Sequence, residues 1–297
     1  MTPRDLTDAL ASGPVVLDGG LATLLESRGH DLSSDLWSAR LLRDDPEAIV
    51  AAHREFFAAG AQVATSASYQ ASFDGFGHAL GLDRSEAADL IRRSVALARR
   101  ARDENAPAGW VAASVGPYGA VLADGSEYRG DYDLDVAGLR AFHRPRLDVL
   151  AGSGADVLAV ETIPCLAEVE ALCAELDGSG LRAWLSLSAD GDRTRAGEPL
   201  AEAWAMAADV PEILAIGVNC CAPGDVTTAL SDADGLLVAY PNSGQGWDAV
   251  HRTWTGESAF DAGAVESWLD SGVRLVGGCC RVGPADIAAV AAAVTAR

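Results

Sequence analysis

Eight short apolar runs, each ending in a polar or glycine-rich tip, constrain this chain more than any other feature. They occupy residues 14–20, 61–67, 109–116, 156–162, 182–189, 213–220, 235–242 and 273–280. Near-continuous hydrophobicity of this kind belongs to parallel strands buried on both faces. Helical periodicity follows the runs over 47–59, 84–104, 134–152, 165–176, 197–209, 223–232, 261–271 and 284–295. In the first of these stretches Ile49, Val50, His53, Phe56 and Phe57 fall on one side. In the last, Pro284 stands in the first turn, where its missing N–H would have had no partner anyway. Eight strand-then-helix units predict a closed (β/α)8 barrel of the TIM type. An open doubly wound sheet is the alternative. It is disfavoured because the count closes at eight and no Gly-x-Gly-x-x-Gly follows the first run. No linker divides the chain, so 1–297 reads as one domain.

A barrel places its functional residues at the C-terminal tips of its strands. Those tips carry Asp18, Thr65, Ser66, Glu161, Cys220, Asn242, Cys279 and Cys280. Two long loops, 116–133 and 242–260, belong to the same face.

Composition removes several classes of function. All 22 basic residues are arginine. Without lysine there is no Schiff-base chemistry, which excludes pyridoxal phosphate enzymes, and no P-loop. The formal charge of −21 argues against nucleic acid and anionic membranes as partners. The N-terminal segment lacks the basic and apolar regions of a signal peptide, and no apolar run is long enough to span a bilayer. A cytoplasmic monomer or small homo-oligomer is expected, with its 6 cysteines reduced.

Four of those cysteines form two adjacent pairs, Cys220-Cys221 and Cys279-Cys280, at the ends of the sixth and eighth runs. Those two strands flank the seventh, so their tips lie on the order of 10 Å apart. Cys220, Cys279 and Cys280 are expected to meet around one ion, with Cys221 pointing away. Three soft thiolates with one open position select zinc in a catalytic geometry. A closed, purely structural zinc site would need a fourth protein ligand. A zinc hydrolase would need histidine and carboxylate ligands, and none of the 5 histidines is paired at His-x-His spacing. Cys165 and Cys173 lie on one apolar helix face and read as core.

The segments LDGGLAT (17–23), SYQAS (68–72), VETIP (160–164), GVNCCAP (217–223), YPNSG (240–244) and GGCCRVGP (277–284) resemble those of the homocysteine S-methyltransferases. The resemblance covers essentially the whole chain. It implies a zinc-dependent methyl transfer to homocysteine, forming methionine, with Cys220, Cys279 and Cys280 as ligands. It also implies that Asp18, Glu161 and the Gly19-Gly20 backbone hold the amino-acid part of homocysteine. The segment GPYGAVLADGSEYRGDY (116–132) is similar to the branch that uses S-methylmethionine. Betaine, S-adenosylmethionine as donor, and a selenol acceptor are the alternatives on the same scaffold. A departure falls at Ala67, where relatives usually carry asparagine.

The chemistry fits this resemblance. A thiol of ordinary pKa, near 8.5, is mostly protonated at neutral pH, and the nucleophile is the thiolate. A sulfonium donor leaves as a neutral thioether, so no general acid is required. Tyr69 and Asn242 are further candidates for substrate contact, with Gln70, Tyr118, Arg129 and Arg281 weaker ones. His53 is read as a packing residue with its polar atoms satisfied.

Overall fold

The eight apolar runs become eight parallel strands: β1 (Val15–Val16), β2 (Val63–Thr65), β3 (Trp110–Val115), β4 (Val157–Ile163), β5 (Ala183–Leu187), β6 (Ile213–Asn219), β7 (Leu237–Tyr240) and β8 (Val273–Val276). The structure is a computed structural model that describes residues 5–31, 37–248 and 253–297. From β2 to β8 each strand pairs with its successor, and β8 pairs with β1. A parallel bridge between Leu17 and Val63 joins the two remaining edges, supported by a bond from the Gln62 N–H to the Val16 carbonyl. The sheet is thereby closed into the expected (β/α)8 barrel.

The outer helices are α1 (Pro46–Ala58), α2 (Arg84–Asn105), α3 (Val136–Ala151), α4 (Leu166–Leu176), α5 (Leu200–Ala208), α6 (Val226–Ala229), α7 (Ala262–Asp270) and α8 (Pro284–Thr295). Their starts are written locally. The carboxylates of Asp45, Asp83, Asp135 and Asp261 each accept a backbone N–H of the first turn, the expected stop for otherwise orphaned donors. The helix predicted over 223–232 is shorter than expected: a 3-10 turn, Pro223–Asp225, leads into the single turn of α6. The polar stretch Ser231–Asp234 and Gly235 that follow favour a loop. Among the described residues five helices outside the eightfold pattern also appear: Leu6–Ser12, Leu21–Ser27, Trp37–Asp44, Phe73–Leu80 and the single turn Gly119–Leu122.

Two apolar layers result. One lies between strands and helices and includes Val111, Val160, Leu185, Val218 and Cys221. The other fills the barrel, with Leu17, Val63, Trp110, Ala112, Val157, Ala159, Trp184, Val238 and Leu275, and Leu6 and Leu10 of the first helix packed among them. Because successive strand residues face opposite ways, inward positions fall two apart. On β3 the inward series is Trp110, Ala112, Ser114, and on β4 it is Val157, Ala159, Glu161. The apolar barrel floor therefore turns polar toward the C-terminal tips, where the site forms. On β6, a Cβ at Gly217 would stand 1.9 Å from the Val238 carbonyl oxygen, so only glycine lets β6 and β7 approach this closely.

Candidate active site

At the tip of β6 the chain turns sharply. Cys220 has φ +51°, a left-handed conformation that costs on the order of 1–3 kcal/mol for a residue other than glycine. The turn sends Cys220 toward the barrel mouth and leaves Cys221 in the apolar layer under the helices. At β8 a second tight turn follows Gly277. A Cβ on Gly278 would lie 2.1 Å from Val282 Cγ1, and the Cys279 carbonyl accepts the Val282 N–H at 3.1 Å. The sulfurs of Cys220, Cys279 and Cys280 come within 4.8 Å of one another, with Cys220 and Cys280 at 3.9 Å.

Three thiols this close cannot all be anionic unless a cation joins them. The Cys220 thiol is held well below the ordinary range, first by hydrogen bonds from Cys279 and Cys280 and then by Tyr128 and the charge of Arg195. The same contacts push Cys279 well above it. Cys280 is also raised, by its bond with Cys220 first. The donor set is three soft sulfurs at strand tips, so it fits a thiophilic metal ion. The structure thus brings together Cys220, Cys279 and Cys280 as a group able to hold a metal ion.

The contacts around these sulfurs were only partly foreseen. The Tyr128 hydroxyl lies 3.3 Å from Cys220 Sγ. Arg195 reaches Cys220 indirectly: its Nε donates to Ser188 Oγ at 3.0 Å, and Ser188 donates to the Cys220 carbonyl at 3.3 Å. Asn242, expected to touch substrate, instead accepts the Cys280 N–H at 3.1 Å through Oδ1 and is absent from the cavity wall. In that place its side-chain oxygen orients the Gly-Cys-Cys turn.

The cysteines open onto a cavity of about 260 Å³. Among the described residues its wall carries Asp18, Gly19, Gly20, Tyr69, Glu127 and Glu161, and no basic side chain. Asp18 accepts the Thr65 N–H at 2.8 Å and the Thr65 hydroxyl at 2.9 Å. Glu161 accepts from Ser114 and from Tyr240. Burial pushes both carboxyls up to about 7, with the charge of Glu161 adding to the shift of Asp18 and that of Cys220 to Glu161. A cationic ligand would restore what burial takes from their charged forms. Gly19 and Gly20 are dictated by packing: a Cβ there would meet the Val282 carbonyl at 2.3 Å and the Cys279 carbonyl at 2.5 Å. Glu161 is followed by Thr162 at φ +62°, a strained conformation clamped by Asn219. Asn219 Oδ1 accepts the Thr162 N–H at 2.7 Å, and its Nδ2 donates to Thr162 Oγ1 at 2.7 Å. The β4–β5 register shifts at this point.

The loop after β3 is anchored by a group that spacing did not reveal. Glu168 of α4 is fully buried, and its Oε1 accepts the Tyr118 N–H at 2.7 Å and bonds His143 Nε2 at 2.8 Å. Arg146, one helical turn beyond His143, is buried too, and burial pushes it down to about 10 against the charge of Glu168. Tyr118 packs edge-on against Tyr132 and Phe142 rather than lining the cavity. Gln70 lines the cavity and donates to the Ala120 carbonyl at 3.2 Å. Arg129 pairs with Asp131 on the surface, and Arg281 donates to Gln245. His53 is buried as expected, yet neither ring nitrogen has a partner among the described residues, and burial lowers it to about 4. Cys165 and Cys173 are buried, as their helix face required. His251 and part of the loop 242–260 lie outside the described residues.

The family described as homocysteine S-methyltransferase matches residues 15–294. The chain is 48% identical to homocysteine S-methyltransferase of Escherichia coli over 293 residues, 94% of each chain. It is 43% identical to homocysteine S-methyltransferase YbgG of Bacillus subtilis, covering 94% of this chain and 93% of that one. Among solved structures it is similar to the homocysteine methyltransferase MmuM of Escherichia coli in its metallated form. The TM-score is 0.86, the identity 44%, and the coverage 97% of this chain and 99% of that one.

Proposed function

This chain belongs to the homocysteine S-methyltransferase family, and from that premise we propose that it moves the methyl group of S-methylmethionine to homocysteine at a zinc centre held by Cys220, Cys279 and Cys280. The observation that carries the reading is one cavity lined by three converging sulfurs in which the charged side chains, among the described residues, are carboxylates.

Zinc, when bound, would supply the Lewis acidity that draws the proton from the homocysteine thiol and fixes its sulfur. Asp18 and Glu161 would take the homocysteine ammonium. Both are buried, so each carboxylate faces the ammonium in a medium that screens little. Thr65, Ser114 and Tyr240 hold these carboxylates in place before substrate arrives. Homocysteine sulfur then forms a bond to the donor methyl carbon while the carbon–sulfur bond of the sulfonium breaks. The electron pair leaves with the donor sulfur, now a neutral thioether, and no residue need protonate it. The protein's task is to align sulfur, carbon and sulfur nearly in line. Tyr69, whose ring packs against Gly116 at the cavity wall, is suited to limiting how the two substrates lie.

The test is methionine formation by purified protein from homocysteine with S-methylmethionine, S-adenosylmethionine or betaine in turn. Turnover is expected with the sulfonium donors, S-methylmethionine foremost, and a protein active only with betaine would overturn the donor assignment. Glu161→Ala is expected to weaken homocysteine binding by about tenfold to a hundredfold, the worth of a charged hydrogen bond. Its metal content should stay unchanged. Titration calorimetry and elemental analysis check both, and homocysteine affinity equal to wild type would remove Glu161 from the site.

A further inference from the structure

Among the described residues the cavity wall holds three carboxylates, Asp18, Glu161 and Glu127, whereas homocysteine brings one ammonium. Glu127 sits in the 3-10 turn Ser126–Tyr128 of the loop after β3. The loop is fixed from below: Tyr118 is tied to Glu168, Ala120 to Gln70, and Gly119 lies so close that a Cβ there would be 2.4 Å from the Glu127 nitrogen. Glu127 is therefore held at the cavity rather than free in solvent. Its Oε2 is buried and has no hydrogen-bond partner among the described residues. The nearby cation, Arg129, is already committed, through Nε to Asp131 and through Nη1 to the Asp124 carbonyl. Asp18, by contrast, has both oxygens engaged by Thr65, and Glu161 is bonded to Ser114.

We infer that Glu127 is the donor-side carboxylate, which receives the α-ammonium of an amino-acid sulfonium while Asp18 and Glu161 serve homocysteine. The inference rests on the methyl-transfer reading above and adds the group that selects the donor. Two arguments separate the ammonium from the sulfonium as its target. A buried acceptor without a partner needs an N–H or O–H, and a sulfonium has neither. The sulfonium charge also vanishes as the methyl moves, so a carboxylate against it would stabilise the ground state more than the transition state. The ammonium keeps its charge throughout. Burial raises the Glu127 carboxyl from its ordinary range against the lowering effect of its own backbone N–H and of Arg129, so an arriving cation relieves an existing penalty. A quaternary ammonium such as betaine has no N–H to offer this oxygen, which is consistent with an amino-acid donor.

The experiment compares metal-loaded wild type with Glu127→Gln, which keeps the side chain's size. For S-methylmethionine the KM is expected to rise at least about tenfold, with homocysteine KM and metal content within about twofold. Inhibition by 3-(dimethylsulfonio)propionate, a sulfonium without an ammonium, is expected to be equal in the two proteins. Wild type that fails to use S-methylmethionine would sink the functional reading itself. Wild type that uses it, beside a variant of unchanged donor KM, would sink only the role of Glu127. A variant that also loses inhibition by the ammonium-free sulfonium would put Glu127 on the sulfonium and overturn the assignment.

Discussion

Replacing Cys279 with alanine is expected to strip the metal and reduce methionine formation by well over the tenfold to hundredfold that loss of a supporting contact costs, of order a thousandfold. The two remaining sulfurs, Cys220 and Cys280, stand 3.9 Å apart, and two thiolates alone leave a zinc ion with half its coordination to find. The barrel should survive, because Cys279 is only partly buried, in a turn beyond the last pair of β8, and touches the barrel core from its edge. Far-ultraviolet circular dichroism reads the fold and elemental analysis reads the metal. Cys221→Ala is the matched control: same residue type, one position from Cys220, but packed in the layer under the helices. It should keep its metal and lose about 1 kcal/mol of stability or less, the scale of a small core truncation. A Cys279→Ala protein with full metal content would end the assignment of the three sulfurs.

The second large effect is expected at Glu168, far from any reacting atom. Glu168→Ala leaves the Tyr118 N–H and His143 Nε2 without their acceptor and leaves the buried Arg146 charge without its nearby opposite. Breaking a buried pair in this way costs on the order of 3–5 kcal/mol, because the surviving charge stays in a medium that solvates it poorly. Urea unfolding should show the midpoint fall accordingly. Glu168 holds the loop after β3 near its start, at Tyr118, so donor KM is expected to suffer more than homocysteine KM in the folded fraction. A midpoint shift equivalent to less than about 0.5 kcal/mol, the range of ordinary surface changes, would show that Glu168 does not anchor the loop.

Much of this protein follows from local rules. A buried strand needs an apolar run, a helix start needs a capping carboxylate or a proline, and both are written within a few residues, as at Asp83 with Glu86 or at Pro284. Eight repetitions leave few ways to bury all those faces, which is why the barrel could be read from the sequence. The five added helices lay outside that reading because the repeat does not require them. Ser72 and Asp5, capping residues before two of them, were the available signals.

The sequence alone determined the barrel, the side of it on which polar groups gather, and the thiol and carboxylate types available there. Only the tertiary structure decided which groups meet. Thr65 with Asp18, Tyr128 with Cys220, Asn219 with Thr162 and Glu168 with Tyr118 are pairs 47, 92, 57 and 50 residues apart. It also decided that Asn242 turns to the Cys280 backbone and that Glu127 keeps a buried oxygen unpaired. The physical reason is range. Propensity and periodicity act over a turn or a strand, whereas a hydrogen bond between two tips is set by barrel closure and by the sharp turns at Cys220 and Gly278, which no single segment encodes.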